Sequence, residues 1–481
     1  MYFPFFILHG WRKRSVIQPQ TICSEFPYKK RDTGPQRKNP PRRQCLATVL
    51  SILPEKPKNQ LVILQKILFF RGLFFCYLSL ALGKPVGYNK FQEQGSSHGQ
   101  CLSAHRGLPI FIWELVSMKY LEGQIRIPSG CAISALISRE GRKISGETIA
   151  ASMVPMHDRS NGLGGGFAGY GIYPEYKDFF ALHIFYPGES CRKECESLLR
   201  ESLDIVHQEP IPTRAIEAIT QVPLIYRYFA APLQSTLKRL QVDERELIAR
   251  LVMEINGGNS GAYVFSSGKN MGVFKAVGYP EDVAAFYRLE DYKGYCWTAH
   301  GRYPTNTPGW WGGAHPFALL DYTVVHNGEI SSYDANRRSI EMYGYRCTLQ
   351  TDTEVITYIA DYLLRKQGLA LQELAQVMAA PFFTTISRKS PEEQKQLSYL
   401  RTMFSGFLVT GPFSIVLAYE GGLMALNDRL KLRSLVGAEK GDMVYLASEE
   451  AAIRVMEPNP DRIFYPTGGE PVIVQVKGGA F

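Results

Sequence analysis

Ser129-Gly130-Cys131-Ala132-Ile133-Ser134-Ala135-Leu136-Ile137-Ser138 sets a cysteine between a junction of small residues and a short apolar run. The run has the length of a buried strand, and Arg139-Glu140-Gly141-Arg142 ends it. Taken alone, a cysteine at the head of such a strand is an ordinary small buried hydrophobe. A second reading gives it chemistry. If the bond between Gly130 and Cys131 is cut, the thiol stands beside its own α-amine, whose reference pKa of about 7.7 to 8.0 makes it available as a base near neutrality. An amide nitrogen cannot play that part, so the second reading requires the cut.

Three segments lie downstream at a distance: Ala299-His300-Gly301-Arg302-Tyr303-Pro304-Thr305-Asn306, Val325-His326-Asn327-Gly328-Glu329-Ile330 and Thr351-Asp352-Thr353-Glu354. In this order behind the cysteine they resemble the class II glutamine amidotransferases, whose nucleophile is an N-terminal cysteine. Hydrolysis of the glutamine side-chain amide needs a nucleophile, a base, an oxyanion site and a clamp on the amino-acid end. Asn327-Gly328 is a strong short hairpin signal. In the functional reading the Asn327 amide and the Gly328 N–H donate to the developing oxyanion, a role worth about 3–4 kcal/mol per donor. Arg302, with Tyr303 beside it, is either a solvated cation or a bidentate grip on the substrate α-carboxylate. Asp352 is either a favourable charge in the first turn of a helix capped by Thr351 and Glu354, or the acceptor for the α-ammonium. Each signal is weak singly; their joint order carries the reading.

The stretch Met156-His157-Asp158-Arg159-Ser160-Asn161-Gly162-Leu163-Gly164-Gly165-Gly166-Phe167, with Tyr170-Gly171-Ile172-Tyr173-Pro174-Glu175-Tyr176-Lys177-Asp178, narrows the resemblance. It is similar to the stand-alone glutaminase subunit of archaeal-type split glutamate synthases, over about residues 119–481. Gly164-x-Gly166-x-x-Gly169 formally fits a dinucleotide fingerprint, but the residues after it are aromatic and strand-like, with no helix N-terminus for a pyrophosphate. The glycines are expected to form a loop over the glutamine site. Two positions depart from the family pattern: Ala132 where glycine is usual after the cysteine, and Ser434 in Leu432-Arg433-Ser434-Leu435 where proline is common.

The resemblance implies an α+β fold, the four-layer αββα sandwich of N-terminal-nucleophile hydrolases, with an inserted α/β segment at about residues 190–290. It implies release of ammonia from L-glutamine through a thioester on Cys131, and no cofactor in this chain. FMN and an iron–sulfur cluster are expected on a glutamate-synthase-type partner that consumes the ammonia. The alternatives are the glutaminase subunit of a related complex such as N-methylglutamate synthase, and a catalytically silent interaction subunit.

Several elements are legible directly. Phe179 to Tyr186 alternates as a strand, and Gly261 to Lys275 reads as a hairpin turning at Ser267-Gly268-Lys269-Asn270. Leu247, Ile248, Leu251, Val252 and Ile255 recur at helical spacing until Asn256-Gly257, and a second helix opening at Thr351 buries Val355, Ile356, Ile359, Tyr362 and Leu363. Phe413 to Tyr419 and Leu423 to Asn427 form a further hairpin, and Met443 to Ala447 another strand.

The chain has 481 residues, 45% apolar and 12% aromatic, and a net charge of +9. That is globular composition. Residues 1–117 hold 17 Lys and Arg against 5 Asp and Glu, which leaves 37 against 40 for the remainder. The basicity belongs to the first quarter, and the rest carries no electrostatic argument for nucleic acid. Residues 61–82 are apolar over a span long enough for a bilayer, yet contain Lys66 and Arg71, each costing about 2.5–3.5 kcal/mol at its centre. A secretory signal fits poorly, because the apolar run starts some sixty residues in with no clear cleavage site. Residues 1–117 therefore read as an extension outside the fold, with translation expected to begin at Met118, residues 118–130 removed as a leader, and 131–481 forming the amidotransferase domain. No membrane association is expected unless the extension is retained. The nine cysteines follow no disulfide spacing, which points to a reducing cytoplasm, and the pair Cys191 and Cys195 lacks companions for a metal site.

Overall fold

The computed structural model describes residues 130–303 and 309–478. The extension 1–117, the leader up to Ser129, and Pro304, Thr305 and Asn306 lie outside the described residues. The core is two antiparallel sheets. The larger has seven strands in the order Arg462–Phe464, Val436–Lys440, Met443–Ala447, Ala132–Ser138, Cys296–Gly301, Gly165–Tyr170 and Met271–Ala276. The second has five, in the order Phe317–Leu319, Tyr322–Gly328, Phe413–Tyr419, Gly422–Asn427 and Val472–Gln475.

The two-residue period of Phe413–Tyr419 shows how the layers form. Val416 and Ala418 enter one core with Leu136, Ala299 and Val444 of the seven-stranded sheet, while Phe413, Ile415 and Leu417 enter a second core with Val355, Ile359 and Leu374. The second core is roofed by the helices Asp352–Asp361 and Leu371–Met378. Ile149, Val283, Phe286 and Ile453, from helices Gly146–Ala151, Pro280–Phe286 and Glu450–Met456, cover the seven-stranded sheet. The result is helix, sheet, sheet, helix: the four-layer αββα sandwich. The helix at Thr351 buries the five expected apolar residues, and the Phe413–Tyr419 hairpin turns through Gly421 at φ +77°. No helix among the described residues is long and apolar enough to cross a membrane.

Four expectations are corrected. The Ser267–Asn270 turn does not close a hairpin. Tyr263–Ser266 pairs with Phe180–Tyr186 in a separate four-stranded sheet, and Met271–Ala276 pairs with Gly165–Tyr170 in the large one. The corner is pinned from outside, by Asp321 accepting from the Lys269 N–H at 3.0 Å and by the Asn270 side chain accepting from the Tyr173 N–H at 2.9 Å. Consequently the additional α/β layer, Leu203–Pro210, Leu224–Pro232, Phe180–Tyr186 and Tyr263–Ser266, closes before residue 271 instead of running to 290. Thr351 caps its helix, but Glu354 does not reach back to complete a box; it accepts from the Thr348 and Leu349 N–H groups at 3.1 and 2.9 Å.

The Gly-rich motif is likewise only in part a loop: Gly162 and Gly164 precede the strand, with Gly164 accepting the Arg302 N–H at 2.8 Å, but Gly165–Tyr170 is a buried strand. A Cβ on Gly166 would lie 2.2 Å from the His315 carbonyl oxygen and 2.6 Å from that of Phe274. Both obstacles are backbone, so neither can rotate away. Gly166→Ala is expected to lower stability by about 1–3 kcal/mol or more, read as a shifted denaturation midpoint at unchanged slope. An unchanged midpoint would show that the strands separate without cost.

Candidate active site

Cys131 leads the central strand of the seven-stranded sheet. Its neighbour Cys296–Gly301 pairs Ala132 with Gly301, so the chain leaving that strand carries Arg302 and Tyr303 past the cysteine. The Tyr303 N–H donates to Cys131 Sγ at 3.3 Å. From the opposite side Arg159, buried and paired with Glu449 at 2.9 Å, reaches the Cys131 carbonyl oxygen at 3.4 Å.

Asn327 and Gly328 end the strand Tyr322–Gly328 of the facing sheet and pair with Ser414 and Phe413, so they form no turn. The Asn327 carboxamide is fully buried; its Nδ2 lies 3.5 Å from Ser448 Oγ, and its Oδ1 has no partner among the described residues. Gly130 packs against it. With φ +109° and a hypothetical Cβ 2.9 Å from Asn327 Oδ1, that position favours glycine on two counts. The chain entering Cys131 therefore runs directly past Asn327.

A cavity of about 550 Å³ opens beside the thiol, lined by Cys131, Arg302, Tyr303, His326, Gly328 and Asp352 among others. Burial raises the Cys131 pKa, and Asp352 adds to the rise, while the Tyr303 N–H, Arg302 and Arg159 oppose it. The thiol is thus held protonated near neutrality and needs a base to react. Asp352 shows the opposite balance. Burial works against its ionisation, but His326 and hydrogen bonds from the Ile330 N–H at 3.1 Å and the Thr353 hydroxyl at 3.3 Å outweigh it and keep the carboxyl below its usual range. Arg302 is 4% exposed and lines the cavity; burial lowers its pKa, and Cys131 and Asp352 counter this.

The family model for class II glutamine amidotransferases matches residues 200–465. This chain belongs to the class II glutamine amidotransferases. An uncharacterized protein of Archaeoglobus fulgidus is 47% identical over 350 residues, covering 72% of this chain and 92% of that protein. The amidophosphoribosyltransferase of Methanocaldococcus jannaschii is 24% identical over 246 residues, half of this chain and 45% of the enzyme. Among solved structures, the glutamine phosphoribosylpyrophosphate amidotransferase from B. subtilis aligns over 72% of this chain and 48% of its own, at 13% identity and a TM-score of 0.36.

In this amidotransferase the fold gathers Cys131, Arg302, Tyr303, Gly328 and Asp352 on one cavity, with Asn327 next in the chain to Gly328 and against Gly130. The sequence alone assigns no role to Arg159, His315, Ser448 or Thr353. Arg159 and Glu449 lie 290 positions apart, and Ser448 accepts from the Ile133 N–H at 3.1 Å across 315. His326 and Arg159 stand inside recognisable motifs, but nothing local gives them partners. The two close cysteines sit on the helix Glu189–Arg200 as free thiols, away from this cavity.

Proposed function

We propose that this amidotransferase is a glutaminase component that hydrolyses L-glutamine through a γ-glutamyl thioester on Cys131 and passes ammonia to a glutamate-synthase-type chain bearing FMN and an iron–sulfur cluster. The observation that carries the reading is the convergence of a donor-bonded thiol, a buried guanidinium and an ionised carboxylate on one cavity with room for an amino acid. Removal of the leader frees the Cys131 α-amine, which takes the thiol proton as sulfur attacks the side-chain carbonyl carbon. The Asn327 amide and the Gly328 N–H donate to the oxyanion. The carbon–nitrogen bond breaks, the proton leaves with ammonia, and water then cleaves the thioester to glutamate, restoring the thiol. Arg302 holds the α-carboxylate and Asp352 the α-ammonium, with Tyr303 fixing the sulfur through its N–H. The partner assignment rests on the resemblance of the Met156–Phe167 and Tyr170–Asp178 motifs, and acceptor chemistry is assigned to that second chain.

The test is release of glutamate and ammonia from L-glutamine by native protein whose first residue has been determined. Activity is expected in protein beginning at Cys131. Fully active protein whose sole N-terminus is Met1 or Met118 would overturn the leader and with it the amine base. Adding an FMN-bearing glutamate-synthase-type chain is expected to raise glutamine turnover several-fold, and an unresponsive rate in the presence of such chains would overturn the partner assignment.

A further inference from the structure

Thr353 sits at the meeting point of three polar groups. Its Oγ1 lies 2.7 Å from His315 Nε2, 3.2 Å from His326 Nδ1 and 3.3 Å from Asp352 Oδ1. A hydroxyl offers one hydrogen and two lone pairs, so two of the three neighbours must donate to it. An ionised carboxylate cannot donate. The hydroxyl hydrogen therefore goes to Asp352, and both imidazoles donate, His326 from Nδ1. With its ring hydrogen on Nδ1, His326 presents a bare lone pair at Nε2.

That nitrogen is buried and unpartnered among the described residues, on a side chain only 2% exposed. The ring lines the Cys131 cavity, and Nε2 lies 2.8 Å from the point that a Cβ on Gly328 would occupy, a point that the Pro412 carbonyl oxygen already crowds at 2.1 Å. The backbone here is also held. His326 O accepts from His300 Nε2 at 2.9 Å, and His300 stacks on His315 at 4.0 Å. A buried acceptor without a donor is costly unless a ligand supplies one. Asp352, another acceptor on the cavity, has its Oδ1 3.5 Å from His326 Nδ1.

We propose that His326, fixed as the Nδ1–H tautomer by Thr353, is a specificity residue of the amino-acid subsite, its Nε2 accepting a hydrogen from the α-ammonium that Asp352 holds. An ammonium has three hydrogens to place, and Asp352 already receives the Ile330 N–H and the Thr353 hydroxyl. The inference rests on the reading that the amino-acid end of the substrate lies against Arg302 and Asp352.

The experiment compares kcat/KM for L-glutamine with that for 4-carbamoylbutanoate, which is glutamine without its α-amino group, and the affinity for L-glutamate with that for glutarate by calorimetry. In His326→Phe the preference for the amino-bearing member of each pair is expected to fall by about tenfold or more, with the kinetic loss in KM and not in kcat. Thr353→Val, which removes the hydroxyl that selects the tautomer, shifts both ratios the same way, and Thr353→Ser restores them. If both members of each pair weaken equally in His326→Phe and Thr353→Val, His326 is packing and the proposal is overturned. Should His326→Phe fail to fold, the Thr353→Val and Thr353→Ser pair decides alone. A wild-type protein that turns over neither amide would overturn the glutaminase reading instead, and the glutamate-to-glutarate affinity ratio would still decide the role of His326.

Discussion

Cys131→Ser is expected to lose glutaminase activity by about three orders of magnitude or more while keeping its fold. The substitution nearly conserves volume at the head of a buried strand, and a serine oxygen can accept the Tyr303 N–H that now reaches the sulfur at 3.3 Å. Chemistry is another matter. The thiol is already pushed up by burial, and a hydroxyl starts far higher, so the same weak α-amine base would have to remove a much more reluctant proton. Cooperative unfolding at an unchanged midpoint together with lost ammonia release is the expected pair of results. Retention of more than about a tenth of the wild-type rate would show that Cys131 is not the nucleophile, whatever the family to which the chain belongs.

How far the site was legible depends on how local its determinants are. The strand at Ala132, the helix after Thr351 and the hairpin at Gly421 announce themselves through period and turn chemistry, because their burial follows from neighbours along the chain. Ser267–Asn270 misled for the opposite reason: its turn residues are genuine, but Asp321 and Tyr173, both far away in sequence, decide that its two strands join different sheets. The glycines of Gly165–Tyr170 misled similarly. They mark close approach of the His315 backbone and the Trp297 ring, not loop freedom, and a strand-bound glycine gives the same local signal as a mobile one. Asn327-Gly328 carried a hairpin signal that the facing strand Phe413–Tyr419 overrides. Thr353 was visible only as part of a cap, since its contacts with His315 and His326 span 38 and 27 positions.

The roles assigned to the site separate in their kinetics. Arg302 and Asp352 would hold the two charged ends of the amino acid equally in ground and transition states, so Arg302→Lys and Asp352→Asn are expected to raise KM for glutamine by about tenfold or more with kcat little changed. Lysine cannot reproduce the fork of a guanidinium that is 4% exposed, and a neutral amide at Asp352 would lose the charge that His326, Ile330 and Thr353 now sustain. Asn327 would act later. Its Nδ2 has only a 3.5 Å contact with Ser448, which leaves the amide hydrogens available for the oxyanion once charge develops on the substrate oxygen. Asn327→Ala is therefore expected to lower kcat by about 10²- to 10³-fold at nearly constant KM. Its burial supplies the competing outcome: if the variant unfolds early but keeps kcat within about threefold, the carboxamide serves the packing beside Ser448 and not the reaction.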